Sequence, residues 1–268
     1  MREIAKTFCT LEGRNEGALI AYVTGGDPKP DCTARIVGSL IDGGVDIIEL
    51  GIPFSDPIAD GPTIQAAIMR SLKAGTTPRA VLEVAKEIKE DRRVPVVILT
   101  YYNPIFRMGM ERFFRLAKNC KVDGVVVPDL PIEEAHDYKL IAETHEIDTI
   151  FLAAPSTSTE RLQRILDFAS GFLYLVSNFG VTGVRERVQD MTVRLVKSAL
   201  PHTSGRIPLA VGFGISKPEH VRAIMKSGAD GAIVGSAFVK IIEEGQNGER
   251  QMLRKLEDKA RELKSATL

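Results

Sequence analysis

The chain has 268 residues, 35 basic and 35 acidic, so its formal net charge is zero. Balanced charge argues against nucleic acid or an anionic membrane surface as the main partner, because both select for a basic excess. No run approaches the ~20 apolar residues of a membrane span, no signal peptide is evident, and Cys9, Cys32 and Cys120 lie far apart without ligand or disulfide spacing, so a soluble cytoplasmic protein is expected.

Ile4 to Leu11 reads as a short helix ahead of the first strand, placed to plug the floor of a barrel. Eight short, apolar, β-branched runs follow: Ala18 to Thr24, Val45 to Leu50, Pro95 to Thr100, Gly124 to Val127, Thr149 to Ala153, Phe172 to Ser177, Ile207 to Val211 and Gly231 to Val234. Near-continuous hydrophobicity fits strands buried on both faces, hence a parallel sheet with helices outside. Between the runs, helices are expected over Arg79 to Asp91, opened by Thr77-Pro78, and over Glu133 to Glu143. Others are expected over Thr159 to Ala169, where Leu162, Ile165, Leu166 and Ala169 make one apolar stripe, and over Gln189 to Leu200. Ser216 to Glu219 has capping-box spacing and opens a last one, Val221 to Ser227.

This alternation, without a linker or composition shift, predicts an α/β fold: a single (β/α)8 TIM barrel over residues 1–268, with the N-terminal helix and extra short helices. The competitor is an open doubly wound sheet. Thr24-Gly25-Gly26-Asp27-Pro28 after the first run does not match the glycine fingerprint such a sheet usually carries.

In such barrels chemistry sits at the C-terminal ends of strands and on the loops that follow. Glu49 closes the second run, and a Pro- and Gly-punctuated loop then brings Asp60 to the mouth of the next helix. Two acids near one point suggest acid–base work. Strand alternation puts Ile20, Tyr22 and Thr24 in one direction, as it does Val45, Ile47 and Glu49, and Phe172, Tyr174 and Val176. If the small apolar members face the lumen, Glu49, Tyr22 and Tyr174 ring its upper rim. Burial there should raise the Glu49 pKa. Taken alone, Asp60 is as readily a cap for the helix opened by Gly61-Pro62, and Tyr174 more often a core tyrosine.

Gly180 to Gly183, Gly212 to Ser216 and Gly235 to Ala237 bear glycines that let backbone approach an anion. A helix starting near Ser236 would aim unpaired N–H groups at a phosphate, with the Ser236 hydroxyl beside them. Ser216 is better read as a helix cap. The four histidines show no ligand spacing, and no metal site is expected.

Glu49 to Gln65, with Gly26-Asp27-Pro28, Pro128 to Pro131, Gly180 to Gly183 and Gly212 to Ser216, closely resembles the tryptophan synthase α subunit family, in order and across essentially the whole chain. The resemblance implies a lyase that cleaves indole-3-glycerol phosphate to indole and glyceraldehyde 3-phosphate. By the same matching, Glu49 is the main acid–base group, Asp60 the second acid and Tyr174 its neighbour. Gly183, Gly214, Gly235 and Ser236 hold phosphate, while Tyr22, Leu99 and Phe213 line the indole pocket. Tyr22 stands where phenylalanine is usual, so its extra hydroxyl needs a partner. Phe179 to Gln189 looks like a closing lid, with Thr182 reaching the second acid. The implied partner is a pyridoxal-phosphate-dependent β subunit in an α2β2 assembly, met through Pro53, Asp56, Asn103, Pro104, Asp129 and Pro131. This chain itself is expected to hold no cofactor. A phosphosugar isomerase or epimerase on the same barrel, and a non-catalytic activating subunit, are the competing readings.

Overall fold

A computed structural model describes residues 1–176, 185–212, 214–246 and 248–268, with the backbone alone for 185–191. Helix α1 (Glu3–Glu12) precedes β1 (Ala18–Thr24); a 3-10 turn (Pro30–Cys32) leads into α2 (Thr33–Asp42) and β2 (Ile47–Gly51). Next come α3 (Pro62–Lys73), α4 (Pro78–Asp91), β3 (Val96–Leu99), α5 (Tyr102–Met108), α6 (Met110–Asn119) and β4 (Gly124–Val126). A second 3-10 turn (Ile132–Glu134) precedes α7 (His136–Thr144), β5 (Asp148–Ile150), β6 (Leu152–Ala153), α8 (Thr159–Phe168) and β7 (Leu173–Val176). The chain ends with α9 (Arg185–Thr203), β8 (Leu209–Gly212), α10 (Pro218–Lys226), β9 (Gly231–Val234), α11 (Ser236–Glu244) and α12 (Glu249–Lys264).

The strands form one 9-stranded sheet in the order β5-β4-β3-β2-β1-β9-β8-β7-β6. Every pairing along it is parallel. Its two ends, β5 and β6, are halves of the single expected run Thr149 to Ala153, parted by Phe151. The chain therefore closes the barrel through one residue. There the ladder changes neighbour: Ile150 pairs with Val126, whereas the Phe151 carbonyl accepts from the Tyr174 N–H at 3.0 Å.

Period-2 alternation sorts the strand residues into two cores. Leu19, Ala21, Val23, Ile48 and Leu50 face outward and pack with Ile36, Leu40, Val81 and Leu82 of the helices. Ile20, Ile47, Val97, Val126, Ile150, Phe172 and Ile233 fill the interior with Ile4, Phe8 and Leu11 of α1. Each such side chain contributes roughly 1.5–3 kcal/mol by leaving water. Helix α1 is the floor plug the sequence predicts: Phe8 lies 6.0 Å from Phe172, and Arg2 Nη1 donates to Asp148 Oδ1 at 2.8 Å.

Carboxylates staple neighbouring strands at this lower end. Asp46 Oδ2 accepts the Leu19 N–H at 2.8 Å, Asp123 Oδ2 that of Val96 at 2.8 Å, and Asp230 Oδ2 that of Leu209 at 2.7 Å.

Three local expectations are corrected. The helix expected over Glu133 to Glu143 breaks at Ala135 into a 3-10 turn and α7. Ser216 caps nothing: α10 starts at Pro218 after an extended Lys217, and the Ser216 N–H donates to His220 Nδ1 at 3.3 Å. Residues 185–189, read as part of the lid, lie in the first turns of α9. Thr77 and Ser158 do cap, accepting from Ala80 N–H and Arg161 N–H.

Candidate active site

The upper mouth is built from strand ends. Tyr22 pairs with Glu49 across β1 and β2, and Glu49 with Val97 on β3, so the inward alternation of Ile20 and Ile47 carries Tyr22 and Glu49 into the lumen one step higher. Tyr174 does the same on β7, between Leu152 and Ala210. Tyr22 joins Ala67 of α3 and Val239 of α11 in a small apolar cluster, with Ile64 and Leu99 packed against it.

Glu49 is 1% exposed, and its Oε2 is buried without a hydrogen-bond partner. Burial first, and then the nearby charge of Asp60, push its pKa up to about 8. A carboxyl this deep, with no cation beside it among the causes of its shift, is costly to ionise, so it rests protonated at neutrality.

Asp60 lies on the loop between β2 and α3. It does not cap α3, whose boundary residue is Gly61 with no side-chain cap. Its Oδ2 instead accepts the Tyr101 hydroxyl at 2.6 Å. Burial raises its pKa and the Tyr101 hydrogen bond lowers it. The charges of Asp60 and Glu49 both add to the burial that raises Tyr22 and Tyr174, so four groups converge on one mouth.

The surplus Tyr22 hydroxyl has its partner in Thr24 Oγ1, at 3.2 Å. Two glycines make room for the aromatic groups. A Cβ on Gly51 would collide with the Tyr22 ring and hydroxyl, and one on Gly212 would lie 2.5 Å from the Tyr174 hydroxyl.

Of the residues expected to hold an anion, Gly214 follows β8 with φ +73°, in the left-handed region that favours glycine. Gly235 ends the β9 loop beside Tyr22 and precedes α11, whose start has no side-chain cap. Ser236 and Ala237 stand in the first turn of that helix, where backbone N–H groups have no intrahelical acceptor, an arrangement that suits an anion. Gly183, Phe213 and Thr182 lie outside the described residues, as does 179–184 of the expected lid.

Of the expected partner-face residues, Asp56, Asn103 and Pro131 are exposed, Pro104 and Asp129 half-buried and Pro53 buried. Asp129 Oδ1 accepts the Tyr102 N–H at 2.8 Å, holding the start of α5. Pro53, Asn103 and Pro104 line a groove of about 670 Å³ on the flank, together with Arg107 and Arg115. None of the mouth residues lines it.

The sequence reading gave Tyr101 no role, and it missed Thr24 as the partner of the Tyr22 hydroxyl and Gly51 and Gly212 as the glycines that make room for Tyr22 and Tyr174. Tyr101 carried a usable signal, since it follows the third apolar run, where barrel loops face the mouth. Among the described residues no group of three or more His, Cys, Asp or Glu is arranged to hold a metal ion. No helix there is long and apolar enough to cross a membrane.

A family profile described as "Tryptophan synthase alpha chain" matches residues 8–268. The tryptophan synthase alpha chain of Methanosarcina barkeri is 50% identical over 264 residues, covering 98% of this chain and 97% of that one. That of Arabidopsis thaliana is 46% identical over 263 residues, covering 98% and 94%. Among solved structures, the tryptophan synthase subunit alpha of Legionella pneumophila superposes with TM-score 0.88 at 32% identity, over 100% of this chain and 98% of that one. The tryptophan synthase a2b2 complex of Pyrococcus furiosus contains a chain with TM-score 0.86 and 46% identity, over 92% and 98%. Matched from near its first residue to its last, in sequence as in fold, the chain belongs to the tryptophan synthase alpha chain family.

Proposed function

We propose that the chain is a carbon–carbon lyase that carries out the α reaction of tryptophan biosynthesis, the retro-aldol cleavage of indole-3-glycerol phosphate to indole and glyceraldehyde 3-phosphate. The observation that carries this reading is a buried Glu49 carboxyl, its Oε2 without a partner, within the electrostatic reach of an Asp60 carboxylate oriented by Tyr101 at the same barrel mouth.

Indole is a poor carbanion, so the bond breaks only after ring carbon 3 is protonated. Glu49, protonated up to about pH 8, gives that proton. Its carboxylate then takes the proton of the adjacent side-chain hydroxyl as the C–C electrons return to the ring and the aldehyde forms. The proton count closes and Glu49 is regenerated. Asp60 stays ionised and accepts the indole N–H as positive charge builds on the ring. Tyr174 positions the reacting hydroxyl, while Tyr22, Leu99 and Phe213 wall the ring. Gly183, Gly214, Gly235 and Ser236 hold the phosphate, and Thr182 reaches Asp60 when the lid closes. In this reading residues 1–268 act as one domain in the cytoplasm, a compartment that suits the free Cys9, Cys32 and Cys120. The chemistry needs no cofactor on this chain.

A β subunit carrying pyridoxal phosphate receives the indole in an α2β2 assembly. Its contact face takes in Pro53, Asp56, Asn103, Pro104, Asp129 and Pro131. Support comes from large apolar side chains left in solvent on the same flank, Ile58 at 81% and Phe106 at 68% exposure.

The test is indole release from indole-3-glycerol phosphate by the purified chain, alone and with a β subunit. Consumption without indole points to the isomerase or epimerase alternative. Activation of the partner without turnover points to a non-catalytic subunit. No release in either setting ends the lyase reading.

A further inference from the structure

The geometry points to Tyr101 as a positioning residue that holds Asp60 aimed and ionised before substrate arrives, a role that rests on the α-reaction reading and names a further residue for it. The Tyr101 hydroxyl meets the Asp60 loop twice. It accepts the Ala59 N–H at 2.9 Å and donates to Asp60 Oδ2 at 2.6 Å. With the phenol oxygen engaged by the backbone amide, its proton is directed at the carboxylate. One carboxylate oxygen is thereby held, and the other stays available for the N–H of an indole ring.

Tyr101 is anchored to the barrel wall and not to the loop it steadies. Its ring is 1% exposed and lies 5.3 Å from the Phe54 ring. The backbone on either side is pinned to β4 and to the loop that follows it: Thr100 N–H donates to Val126 O at 3.0 Å, and Tyr102 N–H to Asp129 Oδ1 at 2.8 Å. Among the described residues the Asp60 loop is otherwise held by Ile52 N–H on Leu99 O at its start, by local bonds, Ile58 N–H to Asp56 O at 2.9 Å, Asp60 N–H to Pro57 O at 3.2 Å and the Ser55 hydroxyl to Asp56, and by the Gln65 side chain on the Asp60 carbonyl at 2.8 Å.

The electrostatics around Asp60 explain why such a donor matters. The groups facing it are Glu49 on β2, Tyr22 on β1 and Tyr174 on β7, with Asp129 behind Tyr101. All are acids, and among the described residues no Lys or Arg pairs with Asp60. A hydrogen bond to the charged form therefore does the work a cation does elsewhere, offsetting the burial that favours the neutral acid.

The experiment is the pH dependence of kcat and KM for indole release by the full chain and by Tyr101→Phe. Loss of a hydrogen bond to a charged group should move the acid limb of kcat/KM up by about one to two pH units. At neutral pH and below, kcat should drop about tenfold or more, with a smaller change in KM, because the bond matters most when the ring is charged. The basic limb, near pH 8 where Glu49 titrates, should stay in place. Placing 3-fluorotyrosine at position 101 supplies a stronger donor of nearly the same size and should move the acid limb the other way. That variant also decides the matter if thermal melting shows the Phe variant unfolded. A rate lowered evenly at every pH, or an acid limb unmoved by either replacement, overturns the positioning role. A wild-type chain that releases no indole instead overturns the α-reaction reading, so the two failures are distinct.

Discussion

Replacing Glu49 with glutamine should stabilise the protein while silencing it. Below pH 4.5 the carboxyl is protonated in both folded and unfolded chains and costs nothing. Between 4.5 and about 8 the unfolded chain releases a proton that the folded one keeps, so folding stability falls as pH rises; above about 8 the penalty is constant. At about 1.4 kcal/mol per pH unit, the wild type should lose about 3 to 4 kcal/mol from this group between pH 5 and pH 8. Glutamine has the shape of the protonated acid and does not titrate. Urea unfolding of Glu49→Gln and wild type should therefore nearly coincide at pH 5 and diverge by that amount at pH 8, with the variant the more stable. Between pH 5 and pH 8 the other titrating groups cancel in the comparison except Asp60; Tyr22 and Tyr174 also feel the Glu49 charge but stay protonated throughout this range. The same variant should bind the substrate and release indole at less than about a tenth of the wild-type rate. Equal stability differences at both pH values would refute the claim that Glu49 rests protonated in an apolar site, and retained turnover would reassign the proton carrier.

Three further outcomes follow from geometry. Gly212→Ala places a methyl 2.5 Å from the Tyr174 hydroxyl, so it should cost about 1–3 kcal/mol in thermal or urea unfolding; adding Tyr174→Leu should recover stability but not activity. Gly214→Val forces a β-branched residue to φ +73° beside the proposed phosphate site, so the KM for indole-3-glycerol phosphate should rise; an unchanged KM removes Gly214 from that site. Arg70 donates through Nε and Nη2 to Asp27 at 2.7 and 2.9 Å and through Nη1 to Glu243 at 2.9 Å, tying α3 to α11. Arg70→Met strands a buried carboxylate, and urea unfolding should register a loss of about 3–5 kcal/mol.

Strand periodicity carried much of this structure into view. Apolar runs that alternate with helical stretches specify a parallel barrel, and a side-chain period of two places Tyr22, Glu49 and Tyr174 on its inner face. The same periodicity is blind to a change of neighbour. Ile150 to Ala153 is apolar throughout, and nothing in it marks Phe151 as the place where one ladder stops and another begins. Tyr101 and Asp60 meet across 41 positions, from two loops whose paths no local pattern describes. Ser216 misled because proline holds its predecessor extended: Lys217, at φ −134° and ψ 153°, takes the boundary and moves the capping frame by one residue.

The seam at Phe151 divides the ring into two crescents. One holds β1 to β5, with Glu49, Asp60, Tyr22 and Tyr101; the other holds β6 to β9, with Tyr174, Gly214, Gly235 and Ser236. A chain severed at this bond keeps every interstrand ladder, and its pieces still share the rungs from Ala18 with Gly231 to Ala21 with Val234. Neither crescent owns a whole pocket. Indole production by the mixed pieces would then report their docking directly, with no label needed.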